Sequence, residues 1–193
     1  MAALVAGLYA KLDKLAIDFI TGRTSQYMFR SNAATAMNDA HVHAAELGAE
    51  RAGVQDYAFG VQWVGRQSAQ SQNEFMAGFA EDLAAGRYKP TNQDGEGAAA
   101  RKLRFQLYGN RLVGTANAAF ALVIGTMDGE DGQVRWVMDP SAKHCTTCPE
   151  EASIGWRPAA TMTHVPGDAS CQCGANCKCH IETRNGITGF RVP

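Results

Sequence analysis

The chain predicts a mainly α fold: a helical N-terminal body of about four helices, followed by a small β-rich C-terminal module. Three observations point there. Apolar residues recur at helical spacing up to about residue 126. After Asp128 the period shortens to alternation. All six cysteines stand at position 145 or later, on a body that has none.

The first helix is expected over 3–20, where Leu4, Leu8, Leu12, Leu15 and Phe19 share a face, and Gly22 reads as its stop. Thr24 and Ser25 can cap a second helix that runs to about 47 and ends at Gly48. Its apolar face is Tyr27, Met28, Ala34, Met37, Val42 and Ala45, small enough overall for close helix packing. A connection over 49–60 leads into a third helix over 61–85, with Trp63, Val64, Phe75, Phe79 and Leu83 on one side and Gly86 as its end signal. The glycine-rich, proline-containing run 89–97 reads as an exposed loop. A fourth helix follows over 98–126. Its apolar stretch from Leu112 is about 14 residues long and is interrupted by Thr115 and Asn117, short of the ~20 needed to span a bilayer. Strands are expected at 134–138, ended by Asp139-Pro140, then at 179–183, with a third over 187–192. The natural division is a helical domain, 1–127, and a small β/metal module, 128–193.

Apolar residues make up 46% of the chain, enough for a core, while the net charge is only −1. Holding nucleic acid by phosphate neutralisation calls for a basic excess, so bulk DNA binding has no compositional support. The one local basic cluster, Arg101, Lys102, Arg104 and Arg111, reads as a solvated face, with phosphate or partner contact as the second reading. The N-terminus lacks the basic segment, apolar run and cleavage site of a secretory signal, so synthesis in a cytoplasm and no membrane contact are expected.

The cysteines fall as Cys145-x-x-Cys148 and Cys171-x-Cys173-x3-Cys177-x-Cys179-His180. A CxxC followed by a second tight cluster is how a chain closes a small tetrahedral metal site, and Zn2+ is the expected ion. The favoured ligands are Cys145, Cys148, Cys173 and Cys177, with Cys179 as the substitute. Four thiolates leave no open coordination position, so the metal is read as structural, stabilising a module too small to fold on apolar burial alone. Disulfides and plain buried thiols are the competing readings. His144 and His180 flank the cluster and read as surface or supporting residues.

No catalytic residue is assigned. His41-Val42-His43 sits on a helix, where i and i+2 diverge. Glu81-Asp82 reads as a solvated turn, and Glu150-Glu151 would need a cleft to act as acid or base. No phosphate loop, GxSxG or HExxH motif is present.

The order of features is specific in the tail. Val134-Arg135-Trp136-Val137-Met138-Asp139-Pro140 precedes His144-Cys145-x-x-Cys148, then Pro166-Gly167-Asp168, and finally Cys173-Gly174-Ala175-Asn176-Cys177-Lys178-Cys179. With the helical half, the segment 78–88 and Leu107-Tyr108-Gly109-Asn110 before it, this resembles the minor head, or head morphogenesis, proteins of tailed bacteriophages related to the F protein of phage Mu. In that group a strand ending in Asp precedes a CxxC, and the chain closes on a His-Pro-Asn-Cys-Arg-Cys-like segment. Here a cysteine, displaced by one residue, stands where the histidine would be.

The resemblance implies a structural virion protein with no enzymatic activity of its own. It would be assembled in the host cytoplasm and act in head morphogenesis near the portal vertex. Portal, capsid or neck proteins are the implied partners, in an assembly of several copies, with packaged DNA touched through a local patch. Catalytic segments in that group follow the zinc tail, and with about 14 residues after Cys179 none is expected here. The alternative is a zinc-stapled endonuclease or DNA-binding module, which would need a catalytic His among His144, His164 and His180.

Overall fold

In a computed structural model, residues 1–54, 59–88 and 96–192 are described. Four long helices, α1 (Ala2–Ile20), α2 (Gln26–Arg51), α3 (Phe59–Ala84) and α4 (Glu96–Ile124), precede β1 (Gln133–Val137), α5 (Thr147–Ser153), β2 (Arg157–Pro158) and β3 (His180–Thr183). The expected loop at 89–97 and the connection at 49–60 lie partly outside the described residues. No helix among the described residues is long and apolar enough to cross a membrane.

The helix ends follow local chemistry, with one displacement. Ser25 caps α2 by accepting the Met28 amide at 3.2 Å. Gly48, read as the stop, lies inside α2, which continues to Arg51. A Cβ at Gly48 would overlap the Ala116 carbonyl, so this glycine permits α2 and α4 to touch backbone to backbone. The stop is Gly53, at φ +93°, where the Val54 and Gly53 amides return to the carbonyls of Ala49 (3.1 Å) and Glu50 (2.9 Å).

The buried faces differ from those expected. On α2 the core residues are Phe29, Ala33, Ala36, Met37, Ala40, Ala44 and Ala45, while Tyr27 and Met28 point outward, 77% and 45% exposed. On α3, Phe79 and Leu83 are buried as expected, but Trp63 and Phe75 are each 54% exposed. The side facing the bundle runs instead through Val61, Ala69, Met76 and Ala80. Small residues carry the close contact with α2: a Cβ on Gly65 would stand 2.6 Å from the Val42 Cα. Contact distance selects the face here, and the larger side chains are left outside. The basic cluster of α4 is not one solvated face. Arg101 is buried and paired with Asp13 at 2.7 Å, and the Arg111 guanidinium lies 5.8 Å from the centre of the Phe75 ring.

The sheet has the order β2-β1-β3, with all pairs antiparallel. Val134 and Trp136 point inward and Arg135 outward, where it meets Glu182 on β3 at 2.7 Å. The third strand is Arg157–Pro158 instead of 187–192; only Thr188 of that stretch forms a bridge, to Glu182. Around that bridge the Thr183 amide donates to the Ile187 carbonyl at 2.9 Å and the Gly189 amide to the Ile181 carbonyl at 2.8 Å. The next residue, Phe190, is held by α4 instead: the Asn117 amide donates to the carbonyls of Pro166 (2.9 Å) and Phe190 (3.0 Å), and its oxygen accepts the Phe190 amide at 2.7 Å.

One core fills the bundle around Leu12, Phe29, Phe79 and Phe105. A second contains Ala45, Ala49, Phe120 and Ile124 from the helices together with Val134, Ala159, Val165 and Ile181 from beyond residue 127. The helical body and the C-terminal module therefore share buried surface. They also meet where Gly114 crosses Gly167, since a Cβ at Gly114 would overlap the Gly167 backbone. The His41 ring is buried against the Thr115 hydroxyl at 2.7 Å, while His43 is exposed.

Asn117→Ala removes the partners of three backbone groups, one buried and two half-buried, and is expected to lower stability by about 2 kcal/mol in urea denaturation, with Leu122→Ala, on the exposed side of α4, as the near-neutral control. Burial, aided by the Arg111 charge, holds His41 at about 4, below its ordinary 6.5. The native state keeps this ring neutral while the unfolded chain takes up a proton. Stability is thus retained above pH 6.5 and lost as pH falls toward 4, by up to about 3 kcal/mol. Urea midpoints at pH 7 and 4.5 should diverge more for the wild type than for His41→Gln; equal slopes would refute this assignment.

Candidate metal centre

Each cysteine is delivered by a short piece of local structure. Asp139 accepts the amide and hydroxyl of Ser141, turning the chain after β1 toward His144 and Cys145. Cys148 sits on the first turn of α5, a helix the CxxC spacing alone does not announce. Pro149, Glu150 and Glu151 are its sequence signal, since proline and acids suit a first turn. Glu151 is buried and ion-paired with Arg157 of β2, which pins α5 to the sheet; its role there is structural. A second aspartate turn, Asp168 with Ser170 and the Cys171 amide, opens the other half. Two tight turns then follow, in which the Gly174 amide meets the Cys171 carbonyl at 2.8 Å and the Asn176 amide meets that of Cys173 at 3.0 Å. They keep Cys171, Cys173 and Cys177 on one side.

The sulfurs converge. Cys148 Sγ lies 3.6 Å from Cys145, 3.6 Å from Cys173 and 3.9 Å from Cys177. Cys171 is 3.9 Å from Cys145 and 4.0 Å from Cys177. Four thiolates bound to zinc at about 2.3 Å stand about 3.8 Å apart along each edge of the tetrahedron, and the cluster has that spacing. All six cysteines are free, which removes the disulfide reading. Trp136 packs over them, and Cys148, Cys171, Cys177 and Cys179 are each at most 2% exposed.

The sulfurs of Cys145, Cys148, Cys171 and Cys173 all lie within 4.8 Å of one another and could together hold a metal ion. Three of the favoured ligands lie in this set. Cys171 takes the fourth corner, and Cys177 borders it through Cys148 and Cys171. Cys179 groups with Cys148 and His144. His144 is half-buried, with its Nδ1 3.5 Å from the Cys179 sulfur. His180 is buried, accepts from Arg191 at 3.2 Å, and belongs to neither set.

The thiols share protons unequally. A hydrogen bond from Cys177 outweighs burial and holds Cys171 down to about 5. Cys177 does the same for Cys179, also at about 5. Burial pushes Cys148 up, and donation to Cys171 pushes Cys177 up. The cluster thus carries thiolate charge in a low-dielectric setting, and a divalent cation is its natural counter-charge. What the arrangement can do chemically is bind a metal ion.

Comparison with known protein families, curated proteins and solved structures finds no match to the chain.

Cys148→Ser removes the sulfur with most neighbours. Bound metal should be lost, along with the protease resistance of residues 133–193, while most far-UV helicity survives because the bundle has its own core. Freshly reduced wild-type protein without metal in elemental analysis would defeat this expectation.

Proposed function

We propose that this chain is a structural virion protein of a tailed bacteriophage, a minor head protein acting in head morphogenesis at or near the portal vertex, with a structural zinc clasp in its C-terminal module. The observation that carries the reading is the joint layout of helical body and cysteine tail, in the order that resembles the Mu F-like group. Two features support it. The thiols surround the candidate site and are largely buried, which suits a structural ion better than one that must admit substrate. Tyr27, Trp63, Phe75, Leu103 and Ile154 are each more than half exposed on elements that otherwise bury their apolar groups, as expected of surfaces that meet other proteins. Portal, capsid or neck proteins are the proposed partners.

The test is co-expression with the portal and capsid proteins of the same genome, followed by sedimentation. The chain should travel with assembled particles at a fixed copy number, and Tyr27→Ser or Trp63→Ser should reduce its incorporation several-fold. A chain that stays in the soluble fraction in every combination overturns the proposal. So does plasmid cleavage in Mg2+ or Mn2+ that disappears in His180→Ala, which would favour an endonuclease.

A further inference from the structure

The two candidate ligand groups have one member in common. Cys148 belongs to the set with Cys145, Cys171 and Cys173 and also to the set with His144 and Cys179. Cys177 lies 3.9 Å from the same sulfur. Two tetrahedral ions that share one ligand need seven residues between them. His144, Cys145, Cys148, Cys171, Cys173, Cys177 and Cys179 supply that number.

We propose that the centre is dinuclear: two divalent ions bridged by the Cys148 thiolate, one closed by Cys145, Cys171 and Cys173, the other by His144, Cys177 and Cys179. This rests on the metal-clasp reading above and adds a second ion, a bridging ligand and a histidine ligand.

His144 is prepared for that role. Its Nε2 is 2.8 Å from the Asp139 carbonyl oxygen. A carbonyl only accepts, so Nε2 carries the proton and Nδ1 presents a lone pair. That lone pair lies 3.5 Å from the Cys179 sulfur. A backbone carbonyl fixing the far nitrogen is how proteins orient a metal-bound imidazole. The Asp139 turn therefore serves both halves, aiming His144 at the second ion just before Cys145 reaches the first.

A single ion in the first set would leave Cys177 and Cys179 outside it, each 1% exposed. Their surroundings are not those of inert core thiols, which pack against hydrocarbon: both belong to the sulfur cluster under Trp136.

The experiment uses the full chain, expressed with zinc and kept reduced. Native mass spectrometry and elemental analysis should give two zinc ions per chain. One ion per chain overturns the dinuclear assignment and leaves the clasp standing; none overturns both. His144→Ala and Cys179→Ser should each fall to one ion with far-UV circular dichroism unchanged. Cadmium-113 substitution of the wild type tests the bridge without relying on a variant. Two resonances of equal intensity, one from a four-sulfur site and one from a three-sulfur, one-nitrogen site, should split each other through the shared sulfur. A single resonance, or two without mutual coupling, refutes the bridging role of Cys148.

Discussion

Six thiol groups share one small buried volume, and the C-terminal third of the chain is arranged around them. Sulfur-to-sulfur spacings of 3.6–4.0 Å are too long for disulfide bonds and match the edges of a thiolate tetrahedron. Thiolate charge in such a place is costly unless a cation neutralises it. The same constraint connects segments that share little other structure: the turn after β1, the first turn of α5, the aspartate turn at 168–171 and the chain entering β3. Each brings one or two ligands, so an ion bound by all of them would close the module at once.

The module is joined to the bundle by contacts outside the cysteine cluster. Asn117, in the C-terminal half of α4, binds backbone at Pro166 and Phe190, and Arg51 at the end of α2 donates to the Thr188 carbonyl at 3.0 Å. Ile124 and Phe120 pack into the same core as Val134 and Ile181. A polar residue buried in an apolar helix is tolerated because its hydrogen bonds are filled. The exchange gives α4 a fixed grip on a tail that has little regular structure. Helix contacts at Gly48, Gly65 and Gly114 bring backbones too close for any larger side chain.

This architecture suits a part whose work is to be held and to hold. The bundle presents isolated large apolar groups, and the tail gathers from its own chain the ligands that a bound ion would tie together. The proposed role in phage head assembly uses both properties. The shared core seats the module against α4, which also packs in the core of the bundle.

The four long helices, most of their ends and the central strand pair were legible from the chain because they are local: apolar spacing, a serine cap, glycines that accept positive φ. The cysteine pattern likewise announced that the thiols would gather into one cluster able to hold a metal ion. Which face of α2 and α3 turns inward was not legible, because alanine and glycine were chosen over Tyr27, Trp63 and Phe75 by how closely the helices approach. The role of Asn117, the pairing of Arg157–Pro158 in place of 187–192, and the turn of His144 toward Cys179 were likewise invisible in one dimension. Spacing along a chain says which residues can share a centre. Only the packing of distant segments, joined by buried hydrogen bonds and close backbone contact, selects among them.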